Sequence, residues 1–232
     1  SKVPKSVQQA IPIQRIWPDG IFQQGTKFSK TYRFTDINYY IASKDNKTEM
    51  FLDYSELLNS LDSGISAKIT INNRRINKEE FEKSILLPMK EDGLDHYREE
   101  YNEMLLSKIT GTNNSIYQER YLTVSVHKKN IDEARTYFAR VGTDIITHLS
   151  KLSSIGEELD AEQRLQIFRD FFRADEPQCF PFDMKAFAKK GSSFKDWICP
   201  QSMGFSKDFF KINERFGGCC ICRIMPVMSR MT

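Results

Sequence analysis

Between residues 28 and 152 the apolar side chains switch repeatedly between a spacing of two and a spacing of three to four. A spacing of two puts alternate residues on one face of a strand, whereas three to four puts them on one stripe of a helix. Phe28–Ile41, which includes most of SKTYRFTDINYYIAS at Ser29–Ser43, alternates with Tyr32 and Phe34 on one face and Arg33 and Thr35 on the other. Met50–Leu61 carries a helical stripe of Tyr54, Leu57, Leu58 and Leu61, and Ser63-Gly64 ends it. Ala67–Asn77 alternates again, which predicts Ile69 and Ile71 facing inward with Lys68, Thr70 and Asn72 outward. Asn77 and Glu80 have capping-box spacing for a helix that Pro88 stops, and Leu94–Ile109 carries Leu94, Tyr97, Tyr101, Leu105 and Ile109 at helical spacing. A third strand, Tyr117–Lys128, turns Leu122, Val124 and Val126 inward. Asn130 and Glu133 then open a long helix to about Leu152, with Ala134, Phe138, Val141, Ile145 and Leu149 as its stripe.

That succession predicts an α+β fold. The order matches a ferredoxin-like split β-α-β core with an inserted helical pair, its fourth strand not evident, followed by a smaller helical region and a β-hairpin. The expected divisions are an extended, proline-bearing lead-in over 1–20, the α+β domain over 21–155, and the second region over 156–232. Gly20–Phe22 and Phe28–Ile41 read as a hairpin with Gly25 in the turn, and Ser153–Glu158 as the connection between regions. In the second region, Asp160 and Gln163 can cap a helix bearing Leu165, Phe168, Phe171 and Phe172. Short helices follow at Met184–Lys190 and Ser193–Ile198, and a hairpin pairs Asp208–Asn213 with Gly218–Ile224.

A chain of 232 residues can bury a sizeable core, and 17 Phe with 9 Tyr argue for packed structure. The net charge of +3 is too small to announce a nucleic-acid binder, but it is unevenly spread: +4 over residues 1–90, −6 over 91–178 and +5 over 179–232. Basic ends around an acidic middle can orient a domain on an anionic surface, and they are equally what solvated helix faces produce. Five cysteines, three of them in Cys219-Cys220-x-Cys222, lack the spacing of a disulfide framework or a zinc site and read as small buried hydrophobes. That composition points to a reducing compartment and hence the cytoplasm. No apolar run approaches the ~20 residues that span a bilayer. The start at Ser1 and the end soon after an apolar strand set the expectation of a piece of a longer protein.

Catalytic signatures are missing. The phosphate-binding pattern GxxxxGK[ST] does not occur, and Gly191-Ser192-Ser193 after Lys189-Lys190 reads as a helix end. His96, His127 and His148 stand away from any Cys–His signature around Cys179 or Cys199. Glu99, Glu100 and Glu103 form a polar helix face rather than a buried acid–base pair. Basic residues at strand ends (Arg74-Arg75 after Asn72-Asn73, and Lys128-Lys129) are candidates for phosphate or partner contact, as is outward-facing Arg33. Surface solubility explains the same residues.

Eight strings carry a resemblance: SVQQAIP at Ser6–Pro12, DGIF at Asp19–Phe22, SKTYRFTDINY at Ser29–Tyr39, LLNSLD at Leu57–Asp62, ITINNRRIN at Ile69–Asn77, LLPMKEDGLDHYREEYNEMLLSKI at Leu86–Ile109, YLTVSV at Tyr121–Val126 and FFKINERFG at Phe209–Gly217. Together they resemble the N-terminal region of conjugal-transfer ATPases of Gram-positive mobile elements, the TraE/TrbE/CagE class of type IV secretion motors. The resemblance implies a non-catalytic docking domain at the inner face of the cell membrane that contacts inner-membrane channel subunits and self-associates through its parent. It also implies a separate RecA-like motor, outside this chain, that holds ATP and Mg; none of the motor's motifs matches a position here, so no cofactor and no catalytic residue is expected. An alternative class is a single-stranded DNA-binding module that uses Arg74 and Arg75. In either class the candidate contacts are Arg33, Asn72, Arg74, Arg75, Lys128 and Lys129.

Overall fold

The long strand expected at Tyr117–Lys128 is present as Ile116–His127 and organises everything around it. The computed structural model describes residues 4–35, 44–61, 64–75, 86–91, 93–110, 116–174, 176, 183–185 and 193–218. They fall into two units, Ile13–Ala161 and a second made of Ser1–Pro12 with Glu162–Thr232. The chain is mixed α+β with antiparallel sheets.

In the larger unit the elements run β1 (Arg15–Ile16), β2 (Phe22–Gln24), β3 (Lys27–Phe34), α2 (Lys44–Asn59), β4 (Ser66–Arg75), α3 (Asp95–Thr110), β5 (Ile116–His127), α4 (Ile131–Lys151) and β6 (Gly156–Glu158). The helix α1 (Val7–Ala10) precedes them and belongs to the smaller unit. The sheet order is β1-β2-β3-β5-β4, and β6 adds to β3 on the side away from β5. Every neighbouring pair is antiparallel. The connection β3–α2–β4 therefore straddles β5, and β5–α4–β6 straddles β3. The expected helix from Asn77 toward Leu87 lies outside the described residues, as does the predicted extension of β3 beyond Thr35.

The core lies on one side of this sheet. Phe28, Tyr32, Leu122, Val124 and Val126 meet Ala134, Tyr137, Phe138, Val141, Ile145 and Leu149 of α4, with Leu57 of α2 alongside. Burying one such side chain stabilises by about 1.5–3 kcal/mol, so this layer dominates the unit's stability. Asn130 caps α4 as its spacing predicts, its side chain accepting the Glu133 N–H at 2.9 Å.

Four expectations need correction. Ile69 and Ile71 share the face of Leu122 but are 45% and 56% exposed. The cause is position: α4 packs on β3, β6 and α2, and among the described residues β4 is the outermost strand. On α3, Tyr97 is 52% exposed while Arg98 is buried and pairs with Asp95 at 2.7 Å, so that helix buries a charged position its apolar spacing did not mark. The segment read as a connection, Ser153–Glu158, contains the missing strand β6, held by pairing of Tyr32, Arg33 and Phe34 with Glu158, Glu157 and Gly156. In the smaller unit the hairpin partner of β8 (Phe210–Ile212) is not Gly218–Ile224 but β9 (Arg215–Gly217), because the chain already turns at Asn213, whose φ is 51°. Residues 219–224 of the expected hairpin lie outside the described residues.

That smaller unit contains α1, α5 (Ala161–Phe172), α6 (Phe194–Ile198) and a meander of β7 (Met203–Phe205), β8 and β9, with Ala161 itself assigned to the larger unit. The buried Arg169 donates to the Trp197 carbonyl at 2.7 Å and lies over its indole ring. Lys195 Nζ donates to the Ile11 carbonyl at 2.8 Å, which ties the N-terminal segment to α6. Among the described residues, no helix is long and apolar enough to cross a membrane.

Candidate interaction surface

Strand pairing separates the six candidate contact residues. Arg74 and Arg75 sit opposite Tyr117 and Ile116 at one end of the sheet, whereas Lys128 and Lys129 follow the opposite end of β5. Eleven residues of strand between Tyr117 and Lys128 span about 35 Å, so one short ligand does not touch both groups. Only the strand positions of Arg74 and Arg75 are described.

Arg33 is engaged within the fold. Its Nη2 is 2.6 Å from Glu157 Oε2, and the two residues are direct cross-strand partners on the face of the sheet opposite α4. Glu157 also takes Lys90 Nζ at 2.8 Å. Burial pushes its carboxyl up, but the Arg33 charge and the hydrogen bonds from Lys90 and Arg33 outweigh that and hold it below the usual glutamate value. Asn72 is half-buried and donates to the buried Glu119 at 3.4 Å. Across the other face, Lys30 pairs with Glu158 beside Tyr32.

Lys128 and Arg140 both lie over the Tyr137 ring, 5.0 and 5.6 Å from its centroid. Around them Asn130, Asp132, Glu133 and Thr136 line an open concavity of about 600 Å³. Its charges are of both signs. Lys129 is exposed, and its backbone N–H donates to Glu133 at 3.4 Å.

The chemistry available elsewhere is modest. Burial raises the Cys199 thiol above its ordinary value. His127 bonds Thr26 Oγ1 at 2.9 Å, and His148 bonds the Asp144 carbonyl at 2.7 Å. Glu99, Glu100 and Glu103 are exposed. Among the described residues there is no cluster of three or more His, Cys, Asp or Glu side chains placed to hold a metal ion.

The sequence marked β4 as a strand but not its place at the end of the sheet. The strand's ten residues pair with β5 in one continuous register from Ser66 opposite Ser125 to Arg75 opposite Ile116. Among the described residues nothing pairs with its other side. Ile69 and Ile71 stand exposed on one face and Lys68 on the other. The alternation was legible in the sequence, but an alternating strand reads the same whether or not a helix covers it.

No protein-family model matches the chain, and no curated protein is significantly similar to it.

Proposed function

We propose that this chain is a non-catalytic docking domain of the kind found at the N-terminus of type IV secretion motors of the TraE/TrbE/CagE class. Its larger unit is a ferredoxin-like core with α3 inserted between β4 and β5. The order β6-β3-β5-β4, with each crossover straddling one strand, supports that arrangement. The domain works at the cytoplasmic face of the membrane against inner-membrane channel subunits, and ATP and Mg belong to the motor of the parent protein.

The observation that carries this reading is the contrast across the sheet. Two charged pairs, Arg33 with Glu157 and Lys30 with Glu158, are engaged across neighbouring strands. Apolar side chains on its outer strand are left exposed, as Ile69 and Ile71 are. Exposed apolar residues on an outer strand suit a protein partner better than a reaction.

The test is coprecipitation of the channel subunits with this chain from conjugating cells, together with transfer frequency when the chain is overproduced. Capture of channel subunits and a fall in transfer are expected. If neither occurs, docking is the wrong function. A salt-dependent shift of a labelled oligonucleotide, lost in Arg74→Glu with Arg75→Glu, would replace it with the single-stranded DNA reading.

A further inference from the structure

We propose that the outer edge of β4 receives an extended segment of a partner protein as an added strand, and that this segment alternates acidic with β-branched or aromatic residues. The inference supplies the partner chemistry for the docking role above and rests on that reading.

The edge is unusually suitable. Ten residues in continuous register present about 33 Å of strand, with neither proline nor a bulge. Proteins ordinarily blunt such an edge by shortening it, kinking it or covering it. Here Lys68 is a charged residue of the blunting type, while Ile69 and Ile71 beside it are exposed.

The two faces of β4 specify what an added strand carries. Ala67, Ile69 and Ile71 lie on one face, so residues opposite them are apolar. Lys68, Thr70, Asn72 and Arg74 lie on the other face, which carries two of the strand's three cations and no acid of β4; Arg75 falls at the far end of the face of Ile69 and Ile71. Opposite charges across a strand pair stabilise and like charges destabilise, so the other alternate positions of the partner are acidic. The result is a period-two pattern of acid and apolar residue.

A second copy of this chain fits less well. Two β4 strands together bring six cations and no acid into one pairing. The antiparallel register that sets Ile69 opposite Ile71 also places Lys68 diagonally opposite Arg74. The occupant is therefore a different, acidic segment.

The experiment pans a displayed library of random peptides of about ten residues, the length of the edge, on the intact chain. Enriched peptides are expected to alternate acidic with Val, Ile, Tyr or Phe. A synthesised member is expected to protect β4 amides from hydrogen exchange and to bind about tenfold more weakly to the Ile71→Glu and Lys68→Glu variants. Both positions are exposed, so these variants keep the fold, which unchanged thermal unfolding verifies. Basic, proline-rich or helically patterned winners, absence of enrichment, or protection away from β4 would each overturn the proposal. So would a dimer in sedimentation that Ile71→Glu dissociates, since the occupant is then a second copy. If channel subunits coprecipitate with Ile71→Glu as fully as with the parent chain, docking survives and the strand-addition inference fails alone.

Discussion

Arg33 and Glu157 face each other directly across β3 and β6, with Nη2 2.6 Å from Oε2 and both side chains largely buried. This pair fastens the three-residue strand β6 to the sheet, and Lys90 adds a second cation to the same carboxylate. A Gly-Glu-Glu segment has little intrinsic preference for strand, so partner side chains supply what propensity does not.

Stability should therefore depend on pH through Glu157. Its folded-state value lies below its ordinary one, so its contribution is complete above the ordinary glutamate value of 4.5. It is then lost as the pH falls through the lowered value. Glu157→Gln is expected to cost about 3 kcal/mol at neutral pH, because it removes the buried carboxylate that both Arg33 and Lys90 share. Denaturant titrations over an acidic pH series check this, and the variant's curve should be flatter in acid than the parent's. An unchanged slope would mean that the pair contributes little.

Gly20 is a second structural dependency. Its φ is +81°, and a Cβ there would lie 2.0 Å from the backbone oxygen of Leu159, the residue after β6. Backbone cannot swing aside as a side chain can. Gly20→Ala is expected to cost at least about 2 kcal/mol and to lower the unfolding midpoint by about 4–8 °C. Calorimetry that finds the variant as stable as the parent would show that the approach relaxes at little cost.

Loss of the α4 cap should be milder. Asn130→Ala removes one side-chain acceptor from the Glu133 N–H and is expected to cost about 1 kcal/mol. Chemical denaturation of the two proteins side by side measures the difference. No loss would indicate that water replaces the cap.

Cys199 should be a slow nucleophile. Burial is the largest influence on its thiol and raises it, so the thiolate fraction at neutral pH is small. Peptide-resolved mass spectrometry after iodoacetamide treatment is expected to show alkylation at Cys199 about tenfold slower than for free cysteine. Alkylation at the rate of free cysteine would reopen a chemical role for this residue.

Much of the fold was legible because its signals are local. The stripe Ala134, Phe138, Val141, Ile145 and Leu149 marks α4, and the Leu122, Val124, Val126 alternation marks β5; all eight side chains are buried. β6 was not legible, since three residues show no periodicity and two of them are charged. The burial of Arg98 was hidden for a different reason, because an Asp and an Arg three residues apart on a helix look the same in sequence whether they are buried or exposed. Of the candidate contacts, sequence marked basic residues at strand ends. It carried no sign that Arg33 is bound to Glu157 or that the remaining cations lie at opposite ends of the sheet.

Which residues share a face follows from the turn of each backbone element, and that much was written in the order of the amino acids. That order placed Ile69 with Ile71, and Leu122 with Val124, on common faces. Packing between elements then buried the second pair and left the first exposed. Burial belongs to whatever packs against a face, and α4 lies on β3 and β6 while β4 stands at the outer edge of the described sheet.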